Sequence, residues 1–274
     1  MSRVTGRRPV LKLRGDTSTT RPDTLAGEEP LEIRLGKEPL TVTMRTPGDD
    51  FDLVAGLLVS EGLAATTEDL VSLRYCSGTG TDGQNTYNVI SAELRDGEAP
   101  LPLSTHRNLL MSSACGVCGK DTIEAVRTAS RWNVAGDPVR LAPEVLYALP
   151  ERLRARQKTF DATGGLHAAG LFTADGELLC AREDVGRHNA VDKVVGWALR
   201  SGQLPLRGRI LMVSGRASFE LTQKAAMAGI PVLAAVSAPS TLAVDLATEL
   251  GVTVVGFLRG REGNVYTGAE RLSL

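Results

Sequence analysis

The chain has 274 residues, 42% of them hydrophobic and 4% aromatic, which fills the core of one large domain or two modest ones. Thirty-one Lys and Arg face thirty-two Asp and Glu, a formal net charge of −1, so no global field draws nucleic acid or an anionic membrane, and any anionic partner must be held by a local site. No apolar run approaches the ~20 residues of a spanning helix, and no apolar stretch follows the early arginines, so the expectation is a cytoplasmic protein without a membrane segment.

Residues 1–28 mix Arg, Thr, Gly, Asp and Pro without apolar periodicity and are expected as a poorly ordered lead-in. From there, Leu31–Leu35 and Leu40–Met44 alternate apolar with polar residues across a Gly36-Lys37 turn, which predicts a hairpin. Asp49 and Asp50 are placed to cap a helix carrying Phe51, Val54, Leu57 and Leu58 on one face. Strands are predicted at Leu70–Cys76 and Thr86–Leu94. Residues 104–119 are rich in Ser, Gly and Cys and lead into a helical period from Asp121. The stretch 29–142 therefore reads as a small α+β domain ending in a cysteine loop and helix.

The stretch 143–274 has another character. Two short helical runs between Pro143 and Lys158 lead to Thr163-Gly164-Gly165, followed by strands at His167–Thr173 and Glu177–Cys180 and a helix from about His188 to Leu199. Short β-rich and helical runs then alternate at Ile210–Val213, Phe219–Ala228, Val232–Val236, Leu242–Leu250 and Val252–Phe257. That alternation predicts an α/β fold with a largely parallel sheet covered by helices.

Ligands of such sheets collect at the C-terminal strand ends, where loops and helix N-termini expose free amides. Three successive strands here run into Ser214-Gly215-Arg216, Ser237-Ala238-Pro239-Ser240 and Phe257-Leu258-Arg259-Gly260-Arg261-Glu262. Glycine admits a ligand to the backbone, hydroxyls donate, and arginine grips phosphate. The three loops together suit a nucleotide or phosphate. Taken singly, each serine could equally be a helix cap and each glycine a turn. No phosphate-loop or dinucleotide glycine fingerprint is present.

Glu183-Asp184-Val185-Gly186-Arg187-His188-Asn189 precedes a helix and would bring Glu183, Asp184, Arg187, His188 and Asn189 to one cleft, or else form a capped, solvated helix start. His167 is a candidate for the same cleft or a hydrogen-bonded structural residue, and His106 sits on a loop. The pair Cys115-Gly116-Val117-Cys118 has three readings. As a zinc site it lacks two ligands, since Cys76 and Cys180 are isolated in apolar strand settings and read as buried and inert. As a dithiol switch it has the right spacing and a following helix. As a persulfide carrier it has the glycine-flanked loop that an accessible thiolate needs. Spacing alone leaves the last two open.

In order, Cys115-Gly-Val-Cys-Gly119, Thr163-Gly-Gly-Leu-His-Ala-Ala169, Glu183-Asp-Val-Gly-Arg-His-Asn-Ala-Val-Asp-Lys193, Ser214-Gly-Arg-Ala-Ser-Phe-Glu220, Ser237-Ala-Pro-Ser240 and Gly256-Phe-Leu-Arg259 resemble the FdhD family of formate dehydrogenase accessory sulfurtransferases. The resemblance spans about residues 28–270. It implies a protein that takes persulfide sulfur from a cysteine desulfurase and passes it to the bis-molybdopterin guanine dinucleotide cofactor before that cofactor enters formate dehydrogenase. Cys115 would then be the carrier and Cys118 a helper, with no resident metal. The cofactor, through its GDP- or GTP-like moieties, would meet Phe257, Leu258, Arg259, Gly260, Arg261 and Glu262, with Ser214, Gly215, Arg216, Ser237, His188 and Asn189 around it. The family also implies a cytidine-deaminase-like three-layer C-terminal domain and a homodimer. A zinc nucleoside deaminase is opposed by Ala168 and Ala169 after His167, where that chemistry needs His-x-Glu, and by a cysteine pair that precedes the histidine. The other alternative is a cofactor-binding chaperone whose cysteines carry no sulfur.

Overall fold

The computed structural model describes residues 4–76, 86–95, 126–127 and 130–274. The stretch expected as a lead-in forms an antiparallel ribbon of β1 (Thr5–Arg14) and β2 (Thr17–Ala26), in register from Thr5 opposite Ala26 to Arg14 opposite Thr17. Its reversal uses Gly15 at φ 57°, a left-handed conformation that costs glycine little. Most ribbon residues are exposed and none is fully buried. No apolar alternation marks the ribbon in the sequence because that alternation reports burial of one face, not strand pairing.

The predicted hairpin is β3 (Glu29–Leu35) with β4 (Glu38–Arg45). Beyond β3 lies β6 (Val89–Leu94), parallel to it, and then β5 (Leu70–Tyr75), antiparallel to β6. Leu31, Ile33, Ile90 and Ala92 are fully buried and join Leu53, Val54 and Leu58 of α1 (Asp50–Ser60) in one core. The caps of α1 differ from expectation. Asp49 makes no side-chain cap bond, and Asp50 instead accepts from the buried Arg45 at 3.0 and 2.9 Å. A buried guanidinium needs a carboxylate to neutralise it and outcompetes the helix end for Asp50.

The third sheet has the order β12-β11-β10-β9-β7-β8. Its parallel centre is β9 (Ile210–Val213), β10 (Val232–Ala235) and β11 (Thr253–Arg259). On one side β7 (His167–Phe172) and β8 (Leu178–Asp184) add antiparallel; on the other β12 (Glu262–Thr267) does so. β8 runs past its expected end because its charges are paired: Arg182 bonds Asp52 at 2.9 Å and Asp184 meets Lys193 at 2.7 Å. β12 was not expected, being a mostly exposed Glu-Gly-Asn-Val-Tyr-Thr run.

Alternate residues divide the two faces of this sheet. Ala169, Leu171, Leu211, Val213, Leu233, Ala235 and Val254 pack towards α4 (Arg187–Arg200), α5 (Phe219–Met227) and α6 (Thr241–Leu250), while Ala168, Phe172, Ile210, Met212, Val232, Ala234 and Val255 pack with α2 (Pro143–Arg154). The result is a mixed α/β fold with helices on both faces of the large sheet. A short α3 (Lys158–Thr163) leads from α2 to β7.

The two stretches separated at 142/143 share their first core, which runs from Leu31 and Leu53 to Val194, Leu221 and Leu233. α1 and α4 cross on two glycines. A Cβ on Gly56 would lie 1.8 Å from Asp192 O, and one on Gly196 1.8 Å from Asp52 O. Beside that crossing, Lys193 Nζ donates to Thr46 O at 2.9 Å, Asp184 accepts from Thr46 N at 3.2 Å, and Asp192 holds both Lys224 Nζ and Ser60 Oγ at 2.8 Å. No described helix is long and apolar enough to cross a membrane.

Candidate functional site

The parallel strands β9, β10 and β11 end at one rim of the large sheet, and the three loops singled out in the sequence meet there. Val236 N donates to Val213 O at 3.2 Å, Ser237 N to Gly215 O at 3.3 Å, and Phe257 N to Ser237 O at 3.3 Å. Their backbones therefore continue the ladder beyond the strands, which fixes the loops relative to one another. Phe257 takes φ 56° beside an irregularity of register between Gly256 and Arg259. A non-glycine residue held left-handed stores strain that the surrounding structure must enforce. The consequence is positional: Leu258 is buried in the second core while Arg259 is exposed at the rim.

Above this rim lies a cavity of about 700 Å³, bounded by Ser214, Val236, Leu258, Arg259 and Gly260 on the sheet side. His167, Leu166, Phe160, Gln157, Arg154 and Leu153 close it from α2, α3 and the start of β7. The volume is that of an ordinary small-molecule site. The walls are largely apolar and the polar groups few. Ser214 is anchored through its amide to Ala168 O at 3.0 Å and its hydroxyl oxygen accepts from Ala168 N at 2.9 Å. Gln157 is only 5% exposed and lines the cavity. Arg154 stacks 4.7 Å from the Phe160 ring centre and pairs with Asp161 at 2.5 Å.

Other expected residues fall elsewhere. Arg216 is exposed and outside the cavity wall. Ser237 serves through its backbone, linking Gly215 to Phe257. Arg261 reaches away, to Glu144 at 3.5 Å and over Tyr147 at 5.6 Å, and Glu262 begins β12 opposite Arg259. Ser240 caps α6, its hydroxyl accepting from Ala243 N at 3.3 Å. The charged motif before α4 divides. Glu183 caps the N-terminus of α3, accepting from Thr159 N at 2.9 Å and Phe160 N at 2.7 Å. Asp184 and Asn189 are structural: Asn189 Nδ2 donates to Met44 O at 2.8 Å and to Asp184 at 3.0 Å, which joins β4 to α4.

His188 stays near the rim, its Nε2 3.3 Å from Ser218 Oγ and 3.5 Å from Glu220. That contact draws the Glu220 carboxyl down to about 2. His167 is shifted below its ordinary value by burial, then by the positive charges of Arg187 and His188, so its imidazole is neutral at pH 7. Burial pushes the Cys180 thiol up to about 12, consistent with an inert side chain. Cys76, expected buried, is half-buried just beyond β5. Cys115, Cys118 and His106 lie outside the described residues. Among the described residues no group of three or more His, Cys, Asp and Glu is placed to hold a metal.

The sequence did not mark Arg154, Gln157 and Phe160. They sit on a helical stretch whose polar residues resemble any solvated surface, and the one local signal was the Gly164-Gly165 return into β7 that folds this stretch over the strand ends.

Residues 26–273 match the FdhD/NarQ family. A protein of Streptomyces coelicolor named sulfur carrier protein FdhD is 61% identical over 275 residues, covering 100% of this chain and 98% of its own. Its namesake in Mycobacterium tuberculosis is 54% identical over 277 residues, with 100% of both chains covered. A crystal structure from Desulfotalea psychrophila, described as a formate dehydrogenase accessory protein, superposes with a TM-score of 0.76 at 22% identity, over 98% of this chain and 99% of that one. With a family match over nearly its whole length and relatives above half identity, the chain belongs to the FdhD/NarQ family.

Proposed function

We propose that this protein is a sulfur carrier that loads sulfur on Cys115 and delivers it to a molybdenum cofactor of the bis-molybdopterin guanine dinucleotide type, held at the strand-end cavity, before the cofactor enters formate dehydrogenase. Full-length relatives named sulfur carrier protein FdhD support the sulfur role. The carrying observation for the cofactor is the cavity itself: apolar walls of Phe160, Leu166 and Leu258, the side-chain amide of Gln157 in its lining, and Arg259 with Gly260 at the rim. A planar heterocycle needs a flat apolar slot and an amide to read its edge, and the attached phosphates need a cation and open backbone. The helices on both faces of the large sheet support the deaminase-like reading of residues 143–274.

In the loading step the Cys115 thiolate attacks the terminal sulfur of a persulfide on a cysteine desulfurase. The donor S–S bond breaks, the donor cysteine leaves as thiolate, and Cys115 carries the sulfur as its own persulfide. Cys118 assists or resolves. Incubation with a desulfurase and cysteine is expected to add about 32 Da, one sulfur atom, to Cys115. Full labelling and full formate dehydrogenase maturation by Cys115→Ala would remove the carrier assignment, and maturation by a chain lacking both cysteines would favour a cofactor chaperone.

A further inference from the structure

The ribbon of β1 and β2 is a sheet by itself, and a two-stranded ribbon is marginal in water unless something packs on it. Its root is held: β2 packs against α3, and a Cβ on Gly165 would lie 3.6 Å from the Ala26 Cβ. From there ten cross-strand pairs carry the chain to the Gly15 turn, a reach of about 30 Å. Charge is concentrated on it. Five of the thirty-one cationic residues and two of the thirty-two acidic ones fall within residues 5–26, which leaves the ribbon at +3 and the rest of the chain at −4. The two faces also differ, because directly opposite residues share a face and successive ones alternate. One face carries Arg8, Lys12, Arg14 and Arg21, with Asp23 as its one acid; the other carries Pro9, Leu11, Leu13 and Pro22, with Arg7 near the root. Leu11 and Leu13 are 63% and 72% exposed.

We propose that the ribbon is a docking arm that enters a cleft of formate dehydrogenase, its cations against an acidic wall and its leucines against an apolar one. A flat lipid surface that takes Leu11 and Leu13 turns Lys12 and Arg14 away, whereas a cleft meets both faces. An extended polyanion would bind the cations, but it offers the leucines nothing and meets a net negative body. The root selects among protein partners. Gly164 and Gly165, beside Ala26, line the strand-end cavity together with Phe160 of α3. A protein gripped by the arm is thus held at the cavity mouth, which is where the recipient of the cavity's contents must sit. The choice of formate dehydrogenase rests on the function proposed above; the arm and its two faces do not.

The test measures binding of the full chain to purified formate dehydrogenase lacking its cofactor, by calorimetry at low and high salt. Wild-type affinity is expected to fall as salt screens the cationic face. Lys12→Glu, Arg14→Glu and Arg21→Glu together should cost at least tenfold, and so should Leu11→Ser with Leu13→Ser. The charge-keeping set Lys12→Arg, Arg14→Lys and Arg21→Lys should bind like the wild type. All three chains should keep the wild-type melting temperature, GDP affinity and sulfur labelling of Cys115, because the changed residues are exposed and remote from the cavity. Wild-type affinity in the charge or the leucine variant overturns the docking arm, as does loss of melting temperature or GDP affinity in step with binding. Binding of the wild type to anionic vesicles or duplex DNA that the charge variant loses would give the ribbon to a polyanion instead. A halved mass of the free variants in sedimentation would give it to a second copy of this chain. Absence of Cys115 labelling in the wild type, with the binding losses intact, removes the sulfur-carrier reading and leaves the arm.

Discussion

Gln157 and His167 face the same cavity and owe their properties to burial. Gln157 is 5% exposed and lines the cavity, so its amide is placed to donate to and accept from the edge of a heterocycle bound there. Gln157→Leu is therefore expected to weaken guanine nucleotide binding about tenfold, the worth of one such bond, without lowering the melting temperature of the free protein. Unchanged affinity by calorimetry would place the heterocycle elsewhere. For His167 the sign follows from its lowered value. Between that value and the ordinary ~6.5, the unfolded chain binds a proton that the folded chain does not, so stability rises with pH and is lost as pH falls. Urea midpoints should drop between pH 7.5 and 5.5, and His167→Gln should flatten the drop. Glu220 does not interfere: drawn down to about 2, its contribution is present above the ordinary ~4.3 and lost only below that. Arg259 and Ser214 could be found in the sequence because glycine and serine after a β-rich run imply a strand-end loop. Gln157 could not, since its burial depends on α2 and α3 folding over a rim formed by residues far along the chain.

At the level of elements, the α1–α4 crossing explains most of what the sequence left ambiguous about the charged motif before α4. A run of Glu, Asp, Arg, His, Asn and Lys resembles a solvated helix start. Yet Asp184, Asn189, Asp192 and Lys193 are all nearly buried, bonded to Thr46, Met44, Ser60 and Lys224. The motif fastens the four-stranded sheet to the six-stranded one, and Arg187 and His188 are left for the rim. What the sequence lacked was the partner, since Thr46 and Ser60 lie more than a hundred positions upstream. The glycines at the crossing let the backbones meet, so a methyl group at either forces the helices apart. Gly196→Ala is expected to cost about 3 kcal/mol or more, at or above the usual range for overpacking, measured by urea unfolding. Gly6→Ala is the control: its new Cβ would meet only the Arg8 guanidinium at 3.9 Å, and a cost within about 0.5 kcal/mol is expected. Equal effects of the two would remove the close approach as a stabilising contact.

Across the whole molecule, the boundary at 142/143 that composition suggests divides one shared core. Leu31 on β3 and Leu233 on β10 are both fully buried and belong to the same cluster, which closes through α1 and α4. Two domains with separate cores would unfold independently, and a mutation in one would move only its own transition. With a common core and buried ion pairs beside it, neither half keeps its apolar faces covered when the other opens. The full chain should therefore melt in one transition whose calorimetric and van't Hoff enthalpies agree. Leu31→Ala and Leu233→Ala should each cost about 2–5 kcal/mol and lower that same transition as a unit. A split into two peaks in either variant, with one peak left at the wild-type temperature, would show that the halves are separate folding units and that the α1–α4 crossing is only a docking contact.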